Sequence, residues 1–118
     1  MTKGELCPKL TECLLKLERA LVPMNVAAGL GRYQAERRFE HLVIVAKKRT
    51  TKGLSPLNAT NVLWAYIQLA RRARRADMLV ASAMIVALAE FHWRRLGAGI
   101  IPEWHPLARW MASGEELN

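Results

Sequence analysis

Residues 63 to 90 read LWAYIQLARRARRADMLVASAMIVALAE, two apolar segments separated by four arginines in five positions and an aspartate. No glycine or proline interrupts the chain from Leu57 to Leu96, so local propensity alone permits one continuous rod. A rod leaves both apolar faces in water, whereas a turn lets two helices bury those faces on each other. The stretch therefore predicts an antiparallel hairpin with its turn near Arg72 to Asp77, and with Asp77 as N-cap of the second helix.

The first arm of that hairpin begins at Ser55 and Pro56, an N-cap followed by a proline at the first helical position. Ala59, Leu63, Tyr66, Ile67 and Ala70 then recur on one helical face. The second arm is apolar nearly all round and ends at Gly97 and Gly99, a pattern that predicts the most buried helix of the domain.

Upstream, PKLTECLLKLERAL places Leu10, Cys13, Leu14, Leu17 and Leu21 on one face, with Pro8 in the first turn and Pro23 marking the end. MNVAAGLG, residues 24 to 31, reads as a loop or as weak first turns of the next helix. RYQAERRFEHLVIVAKKR follows, with Ala35, Phe39, Leu42, Val43 and Ala46 on its apolar side and TTKG as its stop. A short helix from Pro106 can dock through Leu107, Trp110 and Met111.

The expectation is thus an all-α chain of four main helices (about 8–22, 32–49, 56–71 and 77–96) arranged as antiparallel hairpins, plus a short C-terminal helix (about 106–112). One domain covers 1–118, because 118 residues with 52% hydrophobic side chains bury a core without staples, and residues 113–118 form a frayed tail.

Eighteen Lys and Arg face ten Asp and Glu, a net charge of +8. The excess is local: eleven basic residues against two acidic ones lie between Arg32 and Arg75, a surplus of nine. An anionic partner follows, whether RNA, DNA or anionic lipid, and charge alone does not choose among them; with the rest of the chain weighed, RNA stands ahead of DNA. The residues expected to meet phosphate are Arg37, Arg38, Lys47, Lys48, Arg49, Lys52, Arg71, Arg72, Arg74 and Arg75. No RNP motif, zinc finger or G-x-x-G loop is present to read bases, so recognition rests on shape and charge.

Catalytic signatures are missing. His41, His92 and His105 are dispersed and match no zinc spacing, and no P-loop, G-x-S-x-G or paired-carboxylate arrangement occurs. The reading is a non-enzymatic protein without metal or cofactor.

Cys7 and Cys13, six residues apart on one helix, fall on different faces, which argues for free thiols, a reducing intracellular setting and Cys13 as core. MTKGELCPK lacks the apolar core of a secretory signal. The apolar run from Met78 to Ala89 is 12 residues, short of the roughly 18 to 20 that span a bilayer. Of four tryptophans, Trp64 and Trp93 sit beside aliphatic neighbours on helices and read as core, while Trp104 and Trp110 are candidate anchors for a protein partner.

Residues 54–90 resemble one unit of the helical-hairpin repeats of octotricopeptide and heptatricopeptide proteins. The likeness is carried by Ser55, Asn61, Leu63, Trp64, Ala65 and Leu69, similar to the N-x-L-W-A-x-x-x-L core of those repeats, and by IPEW at 101–104, similar to their Pro-Pro-Glu-Trp start. The resemblance implies stacked helix pairs, organellar RNA as partner, and a mitochondrial or plastid setting. The chain departs from the family in carrying one clear unit where a solenoid needs three or more.

Two other readings compete with RNA binding. One is a small helical accessory subunit of a multiprotein assembly, membrane-associated in one version, with its arginines on acidic surfaces or lipid headgroups. The other is a small DNA-binding regulator, for which GLSPLN at 53–58 is a poor helix-turn-helix turn.

Overall fold

The structure, a computed structural model, describes residues 7–49, 56–96 and 105–113, with side chains placed for 11–49, 60–94, 105–106 and 108–110. All of its regular elements are helices: α1 (Cys7–Val26), α2 (Gly29–Lys48), α3 (Pro56–Arg75), α4 (Leu79–Leu96) and α5 (Pro106–Ser113). The all-α architecture of four main helices and a short fifth follows the apolar periodicity.

α1 buries Cys13, Leu17, Leu21 and Met24, a spacing of four, four and three that keeps one face inward. Pro23 does not end this helix; it lies inside the last turn. Pro23 cannot donate to the carbonyl four residues back. Continuing past it seals Met24 at 0% exposure, a burial of about 2 kcal/mol that offsets the lost bond.

α2 starts at Gly29, three residues before the expected Arg32, after a two-residue corner at Ala27 and Ala28. Gly29 has φ 56, a left-handed conformation that a side chain strains, although nothing lies within 4 Å of where its Cβ would be. α2 then buries Ala35, Phe39 and Ala46, with Leu42 and Val43 packed on the core edge.

α3 runs four residues past the expected end, through the whole arginine cluster to Arg75. Ala73, between the arginines, is fully buried, so the cluster belongs to a packed helix rather than to a loop. The turn is confined to Ala76 and Asp77.

Asp77 is not the N-cap of α4. It sits at φ 62 and donates its N–H to the Arg74 carbonyl at 3.0 Å, while the Met78 N–H donates to the Ala73 carbonyl at 2.8 Å. These two bonds and a left-handed residue form a Schellman stop for α3, sealed by burial of Ala73 and Met78. Aspartate serves because its short polar side chain tolerates the left-handed region better than most. The first α4 bond runs from the Ser82 N–H to the Met78 carbonyl at 3.0 Å, which puts Met78 in the capping position.

Helix directions follow from cross-contacts. The Ser82 hydroxyl donates to the Ala70 carbonyl (2.8 Å), joining the start of α4 to the end of α3. His92 donates through Nε2 to the Ala46 carbonyl (3.3 Å), so the ends of α2 and α4 adjoin. Arg72 meets Glu18 at 2.8 Å, which aligns α3 with α1. Two antiparallel hairpins, α1–α2 and α3–α4, therefore stand side by side with like-directed helices adjacent, α1 on α3 and α2 on α4. α5 packs on α3, and the His105 ring and Asn61 Oδ1 lie 2.9 Å apart at the start of α3.

The hub is α3, which packs on α1, α4 and α5, and not α4 as uniform apolarity suggested. Buried Leu63, Tyr66, Ile67, Leu69, Ala70 and Ala73 give α3 its three packing faces, while Leu79 and Val80 of α4 stay half exposed. The expected N-cap Ser55, the stops Gly53, Gly97 and Gly99, the GLSPLN turn and the IPEW stretch lie outside the described residues or their placed side chains.

Candidate nucleic-acid interface

Asn61, Gln68, Arg72 and Arg75 are exposed along α3 at intervals of seven, four and three, which makes one outward stripe opposite the buried face. Trp64 and Arg71 flank it, half buried, with the Arg71 guanidinium 5.1 Å from the centre of the indole ring. That stacking holds Arg71 flat against the helix through the attraction between a cation and a π face.

The four arginines are not equivalent. Arg72 is paired with Glu18 at 2.8 Å, and both side chains remain about half exposed, so the pair contributes at most about 1 kcal/mol. Its charge is partly neutralised in place. Arg74 and Arg75 are exposed, Arg71 is stacked, and Arg72, Arg74 and Arg75 fill the last turn of α3, where the helix dipole favours cations.

Arg32, at the start of α2, joins this end through Nη2 at 3.5 Å from the Asp77 carbonyl. The sequence counted Arg32 in the basic segment but gave no reason to place it with Arg74 and Arg75, since 45 residues separate it from Asp77.

The basic residues of α2 occupy another surface. Arg37 and Arg38 are exposed in mid-helix, and Arg37 donates to the Tyr33 hydroxyl at 3.2 Å while lying 5.9 Å from its ring. Lys47 and Lys48 fill the last turn, with the Lys47 ammonium 4.9 Å from the Phe91 ring. Because α2 and α3 run in opposite directions, the Lys47–Arg49 group lies at the far end of the bundle from Arg71–Arg75, about 30 Å away by helix length. The sequence cluster of +9 is thus split in two. Lys52 lies outside the described residues.

Around Lys47 an open basin of about 430 Å³ is lined by Lys47, Ala87, Glu90, Phe91 and Arg94. A second groove, about 270 Å³ and mostly apolar, lies between the ends of α1 and α3, where Leu21, Val22, Val26, Leu69 and Met78 line it beside the Glu18–Arg72 pair.

Burial pushes the Cys13 thiol up from its ordinary value, which keeps it protonated and inert. Burial likewise raises the Tyr66 phenol. Lys16, hydrogen-bonded to Glu12, holds that carboxylate below its usual range, with Arg49 adding to the effect. Among the described residues no three His, Cys, Asp or Glu side chains come together as metal ligands, and no helix is long and apolar enough to cross a membrane.

Of the two candidate anchors, Trp110 is buried at 8% exposure and docks α5 on the chain's own core, while Trp104 lies outside the described residues. Trp93 is core as expected, and Trp64 is half buried under Arg71. No family model, curated protein or solved structure matches the chain.

Proposed function

We propose that this chain is a non-enzymatic RNA-binding or ribonucleoprotein subunit that engages the phosphate backbone at the α3 end of the bundle. The observation that carries the reading is the convergence of Arg71, Arg74 and Arg75 with Arg32, drawn from two helices at one end of the bundle, with Arg72 paired to Glu18 beside them. Fixed cations that release condensed counterions on binding supply affinity without reading sequence.

The stacking of two hairpins with like helices adjacent, extended by α5 against α3, supports the same reading through the resemblance to organellar helical repeats. Lys47 and Lys48 form a second, separate contact for a strand long enough to reach them. Arg49, half buried beside Glu12, is a minor contributor.

The experiment is fluorescence anisotropy of labelled single-stranded RNA titrated with the full chain at several salt concentrations. Affinity that falls steeply with salt supports the reading. Affinity indifferent to salt, or no RNA binding at low salt, rejects it.

A further inference from the structure

The two corners of the bundle, Ala27–Ala28 and Ala76–Asp77, sit side by side, bridged by Arg32 on the Asp77 carbonyl. Six exposed large apolar side chains lie within five residues of them: Val22 (68% exposed), Val26 (82%), Leu30 (71%), Tyr33 (55%), Leu79 (54%) and Val80 (50%). Leu15, Ile44 and Val45, away from the corners, are less exposed at 36 to 44%. Among the described residues, the most exposed apolar side chains are therefore gathered at one end, and it is the end that carries Arg32, Arg74 and Arg75.

This combination is unfavourable in water and suits an interface between hydrocarbon and anionic headgroups. We propose that the corner end of the bundle docks on an anionic membrane surface, with Val26, Leu30 and Leu79 entering the acyl boundary and Arg32, Arg74 and Arg75 on the headgroup phosphates. No span is involved, and the inference goes beyond the RNA reading without resting on it.

Three observations favour a lipid surface over a protein or a nucleic acid. The apolar side chains come from the ends of three helices, α1, α2 and α4, rather than from the face of one. The groove beside Val22 and Val26 holds about 270 Å³, room for a large side chain or a few methylenes but not for a helix about 10 Å across. Aliphatic tips give phosphates and bases nothing, whereas a fluid acyl boundary accommodates each separately. Charge complementarity adds to this, because Arg32, Arg74 and Arg75 outnumber Asp77, the one acid at the two corners.

The test is flotation of the full chain with vesicles of phosphatidylcholine alone and of phosphatidylcholine with phosphatidylserine. The variants are Val26→Ser/Leu30→Ser/Leu79→Ser and Arg74→Gln/Arg75→Gln. All five side chains are exposed, and circular dichroism checks that the helices persist.

The parent is expected to float with the anionic vesicles and to retain part of that binding at high salt. The triple serine variant should lose vesicle affinity on the order of ten- to a hundredfold, the loss from withdrawing three partly inserted aliphatic chains, while its RNA affinity is unchanged. The double glutamine variant should lose the preference for phosphatidylserine. A parent that ignores anionic vesicles, a triple serine variant that floats like the parent, or one that loses RNA binding instead of vesicle binding would overturn the proposal.

Discussion

The Ser82 hydroxyl donates to the Ala70 carbonyl at 2.8 Å across the interface of α3 and α4, and Ser82 is only 4% exposed. A polar side chain on an otherwise apolar helix is thus bonded to the hairpin partner and fixes the register of the two arms. Ser82→Ala removes one bond and leaves a carbonyl that keeps its helical partner. Thermal or urea unfolding should show a loss of about 1 kcal/mol. Ser82→Val, which adds bulk at the same closely packed point, should cost more. A Ser82→Ala protein as stable as the parent would mean that this bond does not hold the hairpin.

Asp77 separates two explanations of the corner. As an N-cap it would accept serine readily and lose stability with alanine. In the left-handed position that it occupies, the preference is for glycine or asparagine over any other residue. Asp77→Gly should therefore match or exceed the parent in stability. Asp77→Ser should cost roughly 1 kcal/mol, and Asp77→Val more, because a β-branched side chain tolerates positive φ worst. Equal stability of the serine variant and the parent would restore the capping role.

Much of the fold is legible in the sequence because amphipathic periodicity is a local property. Cys13, Leu17 and Leu21 face inward for the reason their spacing states, and so do Leu63, Tyr66, Ile67 and Ala70. The exceptions are places where tertiary burial decides. Pro23 reads as a stop, yet the helix continues because Met24 has a place in the core beyond it. Asp77 satisfies the chemistry of a cap and of a left-handed stop equally well, so its identity does not distinguish them.

The candidate site is less legible. Eleven basic residues in one segment look like one patch, but their distribution depends on helix direction, which charge does not reveal. Antiparallel packing sends Lys47 and Lys48 to one end and Arg74 and Arg75 to the other, and it brings Arg32 to the arginines from a distant part of the chain. The stacking of Arg71 on Trp64 was within reach of the sequence, since residues seven apart share a helix face.

His105 gives a pH dependence with a definite sign. Its ring lies 2.9 Å from Asn61 Oδ1 and is buried at 4% exposure, and desolvation lowers its pKa below the ordinary 6.5. The folded state therefore favours the neutral ring. The contribution is full above the ordinary value and declines as pH falls below it, because the unfolded chain takes up the proton more readily. Melting temperatures of the parent should drop between neutral pH and about pH 5 by more than those of His105→Gln, which has no proton to gain. Identical pH profiles for the two proteins would show that the docking of α5 through this contact does not respond to protonation.

The division of the basic residues between two ends makes RNA binding depend on strand length. A tetranucleotide covers one end of the bundle but does not bridge the roughly 30 Å between ends. On that short strand Arg74→Gln/Arg75→Gln should weaken binding and lower the slope of log affinity against log salt by roughly 1.4, about 0.7 for each phosphate contact removed. Lys47→Gln/Lys48→Gln should leave the short-strand slope close to the parent's. On a strand several times longer both double variants should lower the slope, because the RNA then reaches the α2 end as well. If the two variants behave alike on the tetranucleotide, the positive field acts as a diffuse whole and the arginine end is not a distinct site. If only the lysine variant has an effect, the phosphate contacts belong to the α2 end, beside Phe91 and Arg94.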